Sequence, residues 1–483
     1  MERTRHGSNT SSDREPGALA ILGPGYLAAI ICGVLMPVID STLVSVGMDT
    51  LVEAFGSDTI TMQWVSTSYL LALAAVVPIT SWALIRWSGR RLWLGCLVLF
   101  VISSACCAAS TTTAALIGFR AIQGIAAGMI LPLTQTLPVM EARRAGITRT
   151  AGIVATISLP ISLGPVLGPA VGGIILNSLS WHWLFLVNIP LGILAILLAL
   201  RFMPRDAAGA DHAGRLDLAG LALISIGLVL VLLGLSNIAS QPASVLIDVA
   251  LPIVAGMVLI AAFCQHTLRR TESPLVNIRL LALSASRAAS IASFFFGVCL
   301  YAAQFVLPLW WQQMHGATVF ETGEYMMAQG IGVLVSRIFV RHIIDRFGDQ
   351  AVSVTAFLLL AATTLPFCIA HDAPTVPLVA LLFVRGLAQG TVNIPINSAV
   401  YVGLSPEQVP HGTILVRTMQ QVGSSFGTAI VAMALQTVSL ATGGTGDQNT
   451  PEGFVAAICV LAGAAVVGAI VSCLLPKRED ELL

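Results

Sequence analysis

Runs of about 20 apolar residues recur along this chain, and nearly all of its arginines fall in alternate gaps between the runs. A helix of that length crosses the hydrocarbon core of a bilayer while making every backbone hydrogen bond internally. Any spanning segment must meet that condition. About fourteen such runs can be read, at roughly 24–48, 60–84, 92–110, 113–138, 150–177, 182–203, 217–237, 245–266, 288–312, 320–341, 350–371, 376–402, 412–438 and 454–475. Hydrophobic residues make up 56% of the 483 residues and charged residues only 10%, whereas a soluble domain carries roughly 25% charge. The chain is therefore read as an all-α integral membrane protein.

The charges give the orientation. Arg86, Arg90 and Arg91 follow the second run, Arg143, Arg144 and Arg149 the fourth, and Arg201, Arg205 and Arg215 the sixth. Arg269, Arg270, Arg279 and Arg287 follow the eighth run, and Arg341 and Arg346 the tenth. The intervening gaps carry Glu53, Asp58, His182, His315, Asp372, Asp447 and Glu452 and no arginine. Basic residues stay on the cytoplasmic side, so both termini are expected there, with the chain multi-pass in the cell (inner) membrane. Residues 1–18 lack the apolar stretch and small-residue cleavage site of a signal peptide, so the first run is expected to be retained.

Several chemistries are disfavoured. The nine cysteines are odd in number, lie in or beside apolar runs and form no C-x-x-C, which reads as packing. The histidines lack metal-ligand spacing, so no metal site is expected. There is no Walker lysine motif, no H-E-x-x-H and no acidic metal-binding pair, and the single lysine, Lys477, lies in the tail. An enzyme is therefore not expected, nor is a nucleic-acid partner.

The chain also repeats itself. Ser81-Trp-Ala-Leu-Ile85-Arg86-Trp-Ser-Gly-Arg90 after the second run is echoed by Arg341-His-Ile-Ile-Asp345-Arg346-Phe-Gly348 after the tenth. Gly124 and Gly128 of the fourth run are echoed by Gly386 and Gly390 of the twelfth. The glycine row of the fifth run (Gly164, Gly168, Gly172, Gly173) is echoed by Gly423 and Gly427 in the thirteenth. Setting the seventh and eighth runs aside gives an N-terminal tail (1–23), a six-helix bundle (24–203), a two-helix insert with its linkers (204–287), a second six-helix bundle (288–475) and a tail (476–483). The insert, with few polar residues, is expected to be a peripheral hairpin facing lipid. Paired six-helix repeats enclosing a midplane site form a transporter architecture.

On these residues the chain resembles the major facilitator superfamily, and within it the fourteen-helix drug:proton antiporters of the EmrB/QacA type. The resemblance is carried by Val38-Ile39-Asp40-Ser41-Thr42-Leu43-Val44, Gln63-Trp64 with Tyr69, and Arg120-Ala-Ile-Gln123-Gly124. It is carried further by Gly164-Pro165-Val-Leu-Gly168-Pro169-Ala-Val-Gly172-Gly173 and Trp181-His-Trp183-Leu-Phe185-Leu-Val-Asn188-Ile-Pro190-Leu-Gly192. The family's loop motif departs from the pattern in its first copy, where Ile85 takes the place of the aspartate. The resemblance implies a proton-coupled exporter of hydrophobic or cationic small molecules, working by alternating access in membrane lipid and using the proton motive force with no other cofactor. Export of a specific lipid, siderophore or secreted metabolite is the alternative, as is a permease subunit that docks a periplasmic adaptor protein.

Ionisable groups inside a bilayer are costly and are candidates for function. Asp40 lies well inside the first run and can take a proton from one side and release it to the other. Arg120 cannot lose its proton and needs a carboxylate, carbonyl or water, and the resemblance links it to proton coupling. Glu324, opening the tenth run, reads either as a second proton site or as a solvated helix-end carboxylate. The expected cavity lining is Trp64, Tyr69, Gln123, Tyr301, Gln304, Gln312, Met327 and Arg385. Trp310 and Trp311 read either as lining or as interfacial belt, and Arg417 as snorkelling or cavity-facing. Gating and helix packing are assigned to Gly164, Pro165, Gly168, Pro169, Gly172, Gly173, Asp345, Arg346 and Gly348, because prolines bend a helix and glycines admit a close neighbour.

Overall fold

The computed structural model describes residues 22–57, 59–145, 153–154, 156–157, 175, 179–204, 216–239, 245–269, 278–370, 373–405, 408–442 and 450–476. The principal helices are α1 (Pro24–Val46), α2 (Thr59–Val76), which continues through a 3-10 turn into α3 (Thr80–Trp87), α4 (Gly89–Ala108), α5 (Thr113–Arg144) and α6 (Asn188–Phe202). After them come α7 (Leu218–Ala239), α8 (Leu251–Arg269), α9 (Ser284–Gln313), α10 (Val319–Thr364), α11 (Thr375–Ala399), α12 (Val409–Ala441) and α13 (Pro451–Ser472). Among the described residues, 11 helices are long and apolar enough to cross a membrane, and Leu218–Gly234 is a shorter apolar helix. The Gly164, Pro165, Gly168, Pro169, Gly172 and Gly173 row lies outside the described residues.

Helix α10 holds two of the predicted runs. Its 46 residues would measure roughly 69 Å if straight, more than twice the ~30 Å hydrocarbon thickness. The chain instead breaks at Gly348, with φ 80° and ψ 162°. It folds back, so that Thr364 hydrogen-bonds Arg385 while the adjacent Gly386 abuts the Gln329 carbonyl. At the matching place in the first copy, Ser88 adopts φ 62° and ψ 165° between α3 and α4. The same backbone bend therefore recurs in both copies. It falls in a region that is essentially glycine's alone.

The glycine pairs recur in three dimensions as well. A Cβ on Gly124 would strike the Tyr69 carbonyl and one on Gly128 the Leu73 carbonyl, locking α5 onto α2. A Cβ on Gly386 would strike the Gln329 carbonyl and one on Gly390 the Val333 carbonyl and Ser336, locking α11 onto α10. Lipid offers little hydrophobic reward for helix association, so such backbone-to-backbone approach is what holds membrane helices together.

Each half has its own core. Trp93, Phe100 and Tyr26 anchor the first, and Phe296, Phe357, Phe367, Trp310 and Trp311 the second. Trp310 and Trp311 are buried against His315, Phe367 and Tyr325. They belong to that core, neither lining a cavity nor facing an interface. The halves meet at the arginine-rich end. There Val139 and Val154 join the second core and Ile414 joins the first, and Arg143 Nη2 donates to the Tyr401 carbonyl at 2.7 Å.

Helices α7 and α8, expected to form a lipid-facing hairpin, are placed differently. Helix α7 packs against α2 of the first half and α12 of the second. Ser225 Oγ donates to the Ala75 carbonyl at 2.6 Å, and Val231 packs with Ala429. Only α8 is peripheral, with Leu251, Val254, Met257 and Val258 exposed. It rides on α7 through a Gly227–Gly256 seam, with His266 Nε2 2.9 Å from Asp217 Oδ2.

Replacing Ser88 with glycine should relieve the bend and stabilise the protein by about 1 kcal/mol, whereas Gly348→Ala should cost about 1–3 kcal/mol. Unfolding of the purified protein in mixed micelles measures both. A Ser88→Gly variant no more stable than the parent would contradict the assignment of strain.

Candidate functional site: a buried ion pair and a cavity between the halves

Asp40 and Arg120 meet in the first half with almost no accessible surface, 0% and 1%. Arg120 Nη1 lies 2.5 Å from Asp40 Oδ2 and donates to Gln123 Oε1 at 2.7 Å. Arg120 Nε donates to the Val65 carbonyl at 3.2 Å, and the guanidinium sits 4.1 Å above the Tyr69 ring. The other carboxylate oxygen, Asp40 Oδ1, accepts from Asn188 Nδ2 at 2.8 Å and from Gln123 Nε2 at 3.1 Å. Both amides also donate to Ser104 Oγ, at 2.9 and 2.8 Å.

This network satisfies two charges in a low-dielectric core. A lone buried ion would be strongly unfavourable, and a pair is tolerable only when its remaining lone pairs and protons are also bonded. Here α1, α2, α4, α5 and α6 each contribute a partner. Residue spacing on α5 produces part of the arrangement: Arg120 and Gln123 are three apart and share one face. The Tyr69 ring adds cation–π attraction, and its hydroxyl donates to the Pro37 carbonyl at 3.4 Å.

The expected site residues therefore divide. Asp40 and Arg120 come together. Tyr69 and Gln123, expected in the cavity wall, are instead closed off and wrap the ion pair. Sequence reading left two members out, Ser104 and Asn188. Asn188 stood within the Trp181–Gly192 signature without a role, and Ser104 carried no signal. Glu324 is exposed near the start of α10 and makes no hydrogen bond or ion pair among the described residues. Trp64, Tyr301, Gln304 and Met327 are exposed, and Gln312 is half-buried.

Arg385 is also buried, with 1% exposure. Its Nε donates to Thr364 Oγ1 at 3.2 Å and its Nη2 to the Cys299 carbonyl at 3.3 Å, while Nη1 has no partner. It occupies the place in the second half that Gln123 takes in the first, with Thr364 matching Ser104 and Cys299 matching Asp40. The second copy therefore lacks the carboxylate. At the loop motif, Asp345 is exposed 3.9 Å from Arg341 on its own helix, and Arg346 stacks beside Phe347. The acid that ties α10 to α11 is Asp349, which is buried and accepts from Ser398 Oγ at 2.6 Å.

A cavity opens between the halves. Leu73 and Leu131 line it from the first half, Leu228 from α7, and Tyr301, Arg417 and Gln420 from the second. Of the residues expected to line a cavity, Tyr301 does so. Arg417 faces this space instead of snorkelling to the interface.

Comparison with known proteins follows the same lines. The Major Facilitator Superfamily pattern matches residues 29–428. A multidrug resistance protein B homolog of Mycobacterium tuberculosis (strain ATCC 25618 / H37Rv) is 34% identical over 90% of this chain and 79% of its own length. YcnB of Bacillus subtilis (strain 168), an uncharacterized MFS-type transporter, is 24% identical over 98% of each chain. The solved proton:xylose symporter XylE superposes with a TM-score of 0.63 at 14% identity, over 92% of this chain and 93% of that one.

Removing one member of the pair strands the other. Asp40→Asn and Arg120→Gln should each destabilise the protein by about 3–5 kcal/mol. The double variant should cost less than the sum by roughly 0.5–3 kcal/mol. A double-mutant cycle by chemical unfolding in micelles checks this, and strict additivity would contradict the coupling.

Proposed function

Because this chain belongs to the Major Facilitator Superfamily, and is a multi-pass membrane transporter and not an enzyme, we propose that it is a proton-coupled exporter of small molecules. On this reading it is a fourteen-helix drug:proton antiporter of the EmrB/QacA type, with two six-helix bundles, a two-helix insert and both termini cytoplasmic in the cell membrane. The observation that carries it is the Asp40–Arg120 pair, a titratable group and a fixed cation sealed inside one half. The multidrug-resistance name of the Mycobacterium tuberculosis relative supports the drug-export reading.

The steps follow from electrostatics. The arginine-rich end is closed by Arg143 on Tyr401 and by shared core residues, while Trp64, Tyr301 and Met327 are exposed. With that end cytoplasmic, the molecule faces outward. A proton arriving from outside neutralises Asp40, and Arg120 then loses its counter-charge within a sealed core. A buried cation without its partner is unfavourable by several kcal/mol, so the five-helix network must rearrange. The bundle then moves against its fellow and the inward-facing form follows. Loss of the proton to the cytoplasm restores the pair and favours the return with cargo. Glu324, exposed on the outer side, is assigned the collection of protons near the mouth. Gly164, Pro165, Gly168, Pro169, Gly172 and Gly173 are assigned the hinge, and Gly348 with Asp345 and Arg346 the loop between paired helices.

Reconstituted protein in liposomes with an imposed pH gradient tests the reading. Efflux of a fluorescent amphiphile should follow the gradient, stop when an uncoupler collapses it, and fall at least about 10-fold in Asp40→Asn. Efflux indifferent to the gradient, or driven equally well by Asp40→Asn, would refute proton coupling.

A further inference from the structure

We propose that the cavity between the halves takes amphiphilic organic anions and excludes cations, with Arg417 as the anion's counter-charge. This inference rests on the exporter reading and narrows it, choosing the hydrophobic over the cationic cargo class. Arg417 is the single charged residue in the lining, and no Asp or Glu is among its neighbours there. Its guanidinium makes no hydrogen bond or ion pair among the described residues, and its Nε is buried without a partner. Arg385, fully buried in the second half, by contrast donates to Thr364 and to the Cys299 carbonyl.

The surroundings specify the rest of the ligand. Leu73, Val77, Leu131 and Leu228 present an apolar wall drawn from the first half and from α7. Arg417, Thr418, Gln420 and Gln421 lie together on α12 and form the polar wall facing it. A body several carbons wide against the first wall, with a carboxylate or sulfonate at the second, satisfies both. A planar guanidinium engages such an anion with two parallel hydrogen bonds. A cationic amphiphile would fit the apolar wall equally well. It would, however, lie beside a fixed positive charge with no acid in the lining to offset it, a repulsion that rejects the wrong class. Asp40 cannot supply that acid, since both its oxygens are already engaged inside the first half.

The test uses the full chain in lipid nanodiscs, with empty nanodiscs subtracted, and three fluorescent aromatic probes that differ in charge. These are 8-anilinonaphthalene-1-sulfonate (anion), N-phenyl-1-naphthylamine (neutral) and rhodamine 6G (cation). The anion should bind most tightly. Arg417→Gln should weaken the anion by about 10-fold or more and leave the neutral probe within about 2-fold, which also reports an intact fold. Arg417→Lys should retain part of the anion's affinity. Unchanged anion binding in Arg417→Gln, or tighter binding of the cation than of the anion by the parent protein, overturns the proposal. Equal loss of the anion in Arg417→Lys and Arg417→Gln, with the neutral probe lost too, also overturns it, since the residue would then be structural. The same probes in the liposome assay separate the two ideas. Charge-selective binding without gradient-driven efflux sinks the exporter reading alone, and gradient-driven efflux with no charge preference sinks the anion site alone.

Discussion

Water's absence governs this molecule, and the Asp40–Arg120 pair is where its consequences concentrate. Two opposite charges sit with essentially no exposure; α1 and α5 carry them, α2 and α6 bond them directly, and Ser104 of α4 holds the two amides that also bond them. Remove the carboxylate's charge and the guanidinium has no second acid to pair with among the described residues. The packing of the first half thereby depends on one pair of buried charges staying matched. A transporter needs that property: a small chemical event that changes the preferred arrangement of whole helices.

The duplication makes the asymmetry between the halves visible. The Ser88 and Gly348 bends superimpose in backbone angles, and the Gly124 and Gly386 contacts repeat the same helix-to-carbonyl approach. On this shared frame the polar residues have diverged. Where the first half places Asp40, Ser104 and Gln123, the second places Cys299, Thr364 and Arg385. At this place the first half holds a compensated pair, whereas Arg385 of the second half bonds only a hydroxyl and a carbonyl among the described residues. On the proposed reading, proton chemistry falls to one bundle and contact with an anionic cargo to the other.

Much of this was legible in the chain. Apolar run length sets helix length, and arginine placement sets alternation, because both obey the bilayer's dimensions and fields. An aspartate and an arginine inside such runs advertise themselves by their cost, so Asp40 and Arg120 could be singled out. Their neighbours could not be placed so well. Tyr69 and Gln123 read as cavity lining because a polar side chain within a span must face something other than lipid, and sequence does not say whether that something is a cavity or a charge. Helix α7 was expected at the periphery because a helix apolar on all sides looks the same against lipid as against protein. Leucine tails resemble acyl tails, so burial in a seam leaves no periodicity to read. Arg417 posed the same difficulty in reverse. A long cationic side chain reaches either an interface or a cavity from one sequence position, and only the placement of α12 against α5 and α7 decides between them.

The central claim is that Asp40 takes up a proton and that Arg120 gives way when it does. Infrared difference spectroscopy of the reconstituted protein after an acid pulse measures this without any cargo. The account predicts a new protonated-carboxyl C=O band accompanied by shifts in guanidinium modes, both missing from Asp40→Asn. A carboxyl band that persists in Asp40→Asn, or its appearance with no change at the guanidinium, would contradict it.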